Sequence, residues 1–297
     1  MPERRAARGT VQLVMSQACL FVSGYVITIL LARGLGPADY GIYGVILSIL
    51  SWVEQSSRFG IASATAKLIA EDQRQAPVVA QSAWVLGACL LVVVFAVFWS
   101  AAPLLARLFQ LPEGVSLLRL AALDIPVYGM YFIYRGVSQG RREFATLSLA
   151  GASYGLSKVA GVFGLYALTL SIQGALVVNM LASMVALVFI ASRTPIKPSQ
   201  WHPTRIPRLL PVALPFALGG LIANVLYHLD VLSLRILLSE DMPHAIGVYV
   251  AASYVAKAPQ LGVLAVPQVL FSSLARAIGT QDVPLARRYV QGAMRFL

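Results

Sequence analysis

Long apolar runs separated by short polar breaks fill this chain from one end to the other. Eight stretches, at about 10–33, 40–66, 78–104, 114–138, 144–168, 172–192, 209–236 and 245–273, hold 20 residues or more with few charges. A helix of about 20 residues rises roughly 30 Å, the thickness of a bilayer's hydrocarbon core, so each stretch predicts a membrane-spanning helix. Ala286–Leu297 opens a further apolar stretch that the chain does not finish, which puts about 8 to 9 spans in the sequence. The fold class expected is all-α, a polytopic helical membrane protein.

The pattern also repeats. Pro37-Ala38-Asp39-Tyr40-Gly41-Ile42-Tyr43 returns 206 residues later as Pro243-His244-Ala245-Ile246-Gly247-Val248-Tyr249. Each copy is expected to be the loop between two long helices. Parallel repeats of helical hairpins build many secondary transporters, with the substrate held between the copies. The longest polar interruption, Ser192 to Arg208, carries Pro195, Pro198, Pro203 and Pro207 and predicts an extended connector. The expected organisation is therefore a six-span lobe over 1–193, a cytoplasmic linker over 194–208 and the beginning of a second, incomplete lobe over 209–297.

Composition sharpens this picture. At 58% hydrophobic and 12% charged residues, the chain has more apolar surface than a soluble domain of 297 residues can bury. The net charge of +11 resides in short loops without a basic stripe interleaved with aromatics, so membrane orientation accounts for it better than nucleic acid does. On one set of alternate loops stand fifteen Lys and Arg residues; the other set has four, Arg33, Arg107, Arg119 and Arg235. The positive-inside rule then places the N-terminus in the cytoplasm of a cell membrane, and the first span, preceded by Arg4, Arg5 and Arg8, reads as uncleaved. Cys19 and Cys89 fall inside spans and match no ligand spacing, so neither a metal nor a cofactor is expected.

Leu30-Leu31-Ala32-Arg33-Gly34-Leu35-Gly36-Pro37-Ala38-Asp39-Tyr40-Gly41-Ile42-Tyr43 resembles the opening signature of oligosaccharide flippases of the polysaccharide biosynthesis family, the Wzx type. Arg135-Gly136-Val137-Ser138-Gln139-Gly140, Pro215 with Asp230, and Gly247-Val248-Tyr249-Val250-Ala251-Ala252 resemble later landmarks of the same family, in the same order. The resemblance implies a two-lobed transporter of the multidrug, oligosaccharidyl-lipid and polysaccharide exporter superfamily. It also implies a polyprenyl-diphosphate-linked sugar as cargo, the lipid bilayer as its setting, and a polymerase and glycosyltransferases as candidate partners. Such families usually carry twelve to fourteen spans, and this chain is shorter.

A lipid-linked sugar asks for cations toward its diphosphate and for hydroxyl, amide and aromatic groups toward its sugars. Three cations sit deep in spans. Arg58 is nine residues, or roughly 14 Å, above Lys67; Lys158 is near the middle of the fifth span; Lys257 is ten residues, or roughly 15 Å, beyond Gly247. These are the diphosphate candidates. Glu54, four residues before Arg58, is equally suited to a structural pair with it, and Asp124 to neutralising Lys158. Lys257 has no acidic residue at helical spacing in its own span, which makes it the leading candidate. Tyr128, Tyr131, Tyr134 and Arg135 follow one side of the fourth span, and Asn179 lies in the sixth; each suits either a polar pathway or ordinary packing. Asp230 is a candidate coupling-ion residue, with a helix-packing hydrogen bond as its alternative.

Other activities fit less well. A lipid II flippase would show arginines within the first span, and a multidrug or cation antiporter often places a carboxylate there; residues 11–32 have neither. For a membrane-embedded glycosyl-transfer enzyme the outward loops offer only scattered Asp39, Glu113, Glu240, Asp241 and His244. No Gly-Lys-Ser/Thr phosphate loop suggests direct use of ATP.

Overall fold

The computed structural model describes residues 2–111, 113–168, 170–196, 209–237 and 243–256, with positions 284, 287 and 291; of residues 2–21, 55–59, 243 and 254, the backbone alone is described. The fold is all-α. Helix α1 (Pro2–Ser57) continues through a π-helical turn, Arg58–Ala62, into α2 (Ser63–Glu71); a 3-10 turn, Gln73–Gln75, then leads to α3 (Ala76–Leu108). There follow α4 (Gly114–Ala122), α5 (Asp124–Gly140), α6 (Phe144–Ala167), α7 (Ile172–Arg193), α8 (Leu210–Leu237) and α9 (Pro243–Ala256).

Local chemistry explains the breaks. Gly36 interrupts α1 with φ 78° and ψ 165°, a left-handed value that glycine adopts without a Cβ penalty. Pro37 follows it as the first residue of the next helix, where its missing N–H costs nothing and its fixed φ is already helical. The expectation of a loop at the motif is corrected here: Gly36 makes the break, and Pro37 to Tyr43 is helical. The second copy likewise opens a helix, α9, at Pro243. Asp72 accepts from the Arg74 N–H at 3.0 Å, and Ser171 caps α7 by accepting from the Gly174 N–H at 3.1 Å. The fourth span divides at Leu123 into α4 and α5, so Pro126 sits in the first turn of α5, where a proline is tolerated. Pro103 and Pro215 lie inside α3 and α8, while Pro259, Pro267 and most of the linker fall outside the described residues.

Four helical stretches among the described residues are long and apolar enough to cross a membrane: Gln73–Leu108, Gly114–Gly140, Ile172–Arg193 and Leu210–Leu237. Their outer faces carry large apolar side chains such as Val92, Val188, Leu214 and Leu226, which lipid solvates and water does not. Their inner faces approach closely over small residues. A Cβ on Gly136 would fall against the backbone carbonyl of Ala62, so α5 packs directly on the π-helical turn. The same turn packs on α8, with Gly60 facing Ala213 and Ala217.

The two motif copies meet. Helix α1 packs on α6, α8 and α9. A Cβ on Gly247 would run into the Pro37 carbonyl, and one on Gly44 would run into Val250. Gly44 and Val250 are counterparts under the 206-residue offset, so each copy's position touches its own equivalent.

Candidate functional site

Three helices bring polar groups to one place inside this apolar bundle. On α5, Asp124, Tyr128, Tyr131 and Arg135 recur at spacings of four, three and four, which places them along one face. On α6, Tyr154 and Lys158 are four apart, as are Asn179 and Ser183 on α7. Packing of α5 on α7 and of α6 on α7 turns these faces toward each other.

Asn179 is the hub. Its amide nitrogen donates to Asp124 Oδ2 at 2.6 Å, and its Oδ1 accepts from Lys158 Nζ and, at 3.4 Å, from the Tyr154 hydroxyl. An amide carries its donor and its acceptor on separate atoms, so it can serve a carboxylate and an ammonium at once. Asp124 is 2% exposed and Asn179 6%, so these bonds stand in low dielectric, where a lost partner is costly. Asn179 thus bridges Asp124 and Lys158, the pair that the sequence suggested for mutual neutralisation, and the two opposite charges stand within electrostatic range of each other. Glu54, from the second span, stands within electrostatic range of both Asp124 and Lys158. Glu54 Oε1 and Asp124 Oδ1 are buried without a hydrogen-bond partner, which leaves two carboxylate oxygens ready to accept.

Aromatic rings extend the network. Tyr131 and Tyr154 stack with centroids 6.4 Å apart and planes 17° from parallel. Tyr128 meets Phe132 edge-on at 4.8 Å and Tyr154 at 5.8 Å. Arg135 donates to the Tyr131 hydroxyl at 2.9 Å and lies 5.5 Å from the centroids of Tyr131 and Phe132. Lys158 lies 5.6 Å from the centre of the Tyr154 ring. Rings that hold a cation over their faces fix its position while leaving its charge unneutralised.

The sequence candidates Glu54, Asp124, Tyr131, Arg135, Lys158 and Asn179 are therefore drawn into one region. Lys257 lies outside the described residues, as does the side chain of Arg58, so the Glu54–Arg58 pair is outside them too. Asp230 stands apart, on α8: its Oδ2 accepts from the Tyr249 hydroxyl of the second motif copy at 3.0 Å, and its Oδ1 from the Val231 N–H at 2.9 Å. Nearby, His228 is buried edge-on to Tyr227 at 4.9 Å. Sequence reasoning missed Tyr154 and Ser183, although each lies four residues from a residue it had marked. Among the described residues no group of three or more His, Cys, Asp or Glu could hold a metal ion.

Residues 6–277 match the family described as polysaccharide biosynthesis protein. The chain belongs to that family. Solved structures with the same fold include the eukaryotic MATE transporter AtDTX14, 13% identical over 98% of this chain and 70% of that one, with a TM-score of 0.78. A MOP superfamily transporter from Pyrococcus furiosus is 17% identical over 99% and 69%, with a TM-score of 0.79. A MATE transporter in its straight conformation is 19% identical over 99% and 69%, with a TM-score of 0.77. The chain thus spans about seven-tenths of each of these proteins. No curated protein matches it. This member of the polysaccharide biosynthesis family is a multi-pass helical membrane protein whose fold is that of transporters rather than enzymes.

Proposed function

We propose that this protein is a flippase that carries polyprenyl-diphosphate-linked oligosaccharide precursors across the cytoplasmic membrane for surface polysaccharide export. The observation that carries the reading is the constellation of Lys158, Asn179, Asp124, Tyr128, Tyr131, Tyr154 and Arg135, buried or half-buried inside an apolar bundle. Stacked tyrosines offer flat faces to sugar rings, the amide and hydroxyls serve their hydroxyls, and the cations serve the diphosphate. Charged groups at membrane depth are expensive and are retained where a polar cargo passes. In this reading Arg58 and Lys257 complete the diphosphate ligands and Asp230 takes a coupling ion. Residues 1–193 form one lobe, 194–208 a cytoplasmic linker and 209–297 the opening of a second, with the N-terminus in the cytoplasm.

A second reading, antiport of an organic cation or drug, is favoured by one feature. Glu54 and Asp124 place two carboxylates beside one ammonium, with two buried oxygens open to a cationic guest. One experiment separates the readings. In proteoliposomes, Lys158→Arg should keep most of the movement of a fluorescent polyprenyl-diphosphate-linked oligosaccharide, and Lys158→Gln should lower it at least tenfold. Equal flipping by Lys158→Gln and the parent, with cation efflux abolished in Asp124→Asn, supports the antiporter instead.

A further inference from the structure

The part of α1 that carries the first motif is bounded by a break at each end. Gly36 cuts it off from the residues before it, and the π-helical turn Arg58–Ala62 cuts it off from α2. Between the breaks every residue from Tyr40 to Glu54 is buried or half-buried, so this segment has no solvent face and gives up no hydration when it turns about its own axis. The far side of the π turn is anchored: Gly60 faces Ala213 and Ala217 of α8, and the Ala62 carbonyl lies against Gly136 of α5. Single π turns inside α-helices recur at functional sites.

A π turn holds one residue more than the α-helical turn it replaces, while the helices on either side keep the phase they would have without it. If the turn tightens into α-helix, the extra residue joins the spiral, and the segment before it turns by roughly 100° and shifts by about 1.5 Å relative to α2. Each place along the segment then passes from one residue to the next in sequence. The backbone here is prepared for such a change. Thr65 donates its hydroxyl to the Ile61 carbonyl of the turn at 2.7 Å, and Ser48 and Ser51 donate to the Gly44 and Ser48 carbonyls at 2.8 Å each; back-bonds of this kind compete with the α-helical ladder and bend it. Two of the replacements carry consequences. Val45 takes the place of Gly44, where a Cβ already falls 2.5 Å from Val250 Cγ1, so valine fits only when α9 has moved away. Gln55 takes the place of Glu54, which stands within electrostatic range of Asp124 and Lys158, so one negative charge leaves a buried network where charge is costly.

We propose that the π turn is a register switch, which couples the contact between the two motif copies to the charge of the buried network. With Gly44 seated against Val250, only the π register fits, and Glu54 stands beside Asp124 and Lys158. When α9 parts from this segment the turn tightens, and an amide replaces the carboxylate. Two discrete arrangements of one helix are thereby biased by a contact at one end and read out as charge at the other. The switch itself is independent of the cargo; its effect on transport rests on the flippase reading.

Deletion of Phe59 tests the switch, because it removes the extra residue and leaves plain α-helix with both flanks in their π-register phase. In the chain with Cys19→Ala and Cys89→Ala, reconstituted in phosphatidylcholine nanodiscs, two cysteine pairs are oxidised and followed on non-reducing gels: Gly44→Cys with Val250→Cys, and Val45→Cys with Val250→Cys. With Phe59 present both pairs should form disulfides. With Phe59 deleted the first should form at an unchanged rate and the second about tenfold or more slowly. A second pair whose rate, high or nil, is the same with and without Phe59 overturns the proposal, since a bulge that merely houses an extra residue predicts no difference. The first pair also checks that the deletion variant folds. Should it not, Thr65→Val decides: loss of the hydroxyl bond to the turn's carbonyl should raise the ratio of the second rate to the first about threefold or more, and an unchanged ratio overturns the switch. In proteoliposomes the deletion should lower flipping of a fluorescent polyprenyl-diphosphate-linked oligosaccharide about tenfold or more, and flipping at the parent's rate overturns the coupling to transport. A parent that cross-links as expected but does not flip counts against the flippase reading and supports the switch.

Discussion

Replacing Asn179 by leucine tests whether the buried network is formed and what it contributes. Leucine keeps the branching at Cγ with two terminal heavy atoms, so the change removes polarity without opening a cavity, and the double-variant cycle below cancels the cost of its larger bulk. It strips Asp124 Oδ2 of its donor at 2.6 Å and leaves Lys158 without the amide oxygen it bonds. Since Asp124 Oδ1 is already without a partner, a carboxylate that is 2% exposed would then have no side-chain donor from Asn179 on either oxygen. Hydrogen bonds to charged groups contribute about 1.5–3 kcal/mol each in soluble proteins, which for two bonds sums to roughly 3–6 kcal/mol. Inside membranes the measured coupling is smaller, about 0.6 kcal/mol on average and about 1.7 at most, because the membrane-embedded unfolded chain finds other partners. The charges at both ends place Asn179 toward the upper part of the membrane range, so the expected loss is about 1–3 kcal/mol, or about 2–10 °C in thermal unfolding in detergent. A cycle with Lys158→Met isolates the bond itself: the double variant should be less destabilised than the sum of the singles by at least about 0.5 kcal/mol. Additive singles, with Asn179→Leu within about 0.5 kcal/mol of the parent, would refute the account of Asn179 as a bridge.

Two further predictions concern packing. Gly136→Leu forces a side chain against the Ala62 backbone, where nothing can rotate away, and should destabilise by about 1–3 kcal/mol or more; Gly164→Ala, with open space around it, should be neutral or slightly stabilising, and thermal unfolding of the pair measures the contrast. Gly44→Cys with Val250→Cys should form a disulfide on mild oxidation, because the Cβ built at position 44 lies 3.3 Å from that of Val250, near disulfide geometry; a shift on a non-reducing gel that vanishes when either cysteine is omitted would confirm it, and failure to cross-link would separate the two motif copies.

Much of the fold was legible because lipid imposes a coarse requirement. A run of apolar residues long enough to cross hydrocarbon must satisfy its backbone internally, so the runs at 144–168, 172–192 and 209–236 differ only slightly from the observed α6, α7 and α8. What escaped depends on finer chemistry. The π-helical turn at Arg58–Ala62 inserts one residue into a helix without a proline to mark it, whereas the division at Leu123 stands three residues before Pro126, which has no N–H to continue the helical ladder back to Ala122. For the site, helical spacing marked the residues on α5, and charge at depth marked Lys158. Spacing within a helix cannot reveal which neighbour its face meets, so the role of Asn179 between Asp124 and Lys158, and the approach of Glu54 to both, became visible only with α6 and α7 in place.

The meeting of Gly44 with Val250 has a consequence for how the two motif-bearing parts stay together. A contact between equivalent positions is the signature of a symmetric homodimer, here made within one polypeptide. Two separate half-length chains would need enough interface affinity to find each other at cellular concentration. Covalent tethering replaces that requirement with a local concentration on the order of millimolar, so the contact need not itself supply the affinity of assembly. Glycine against valine, with Gly247 against a proline carbonyl, is a close contact of small residues and backbone, with Val250 buried in it.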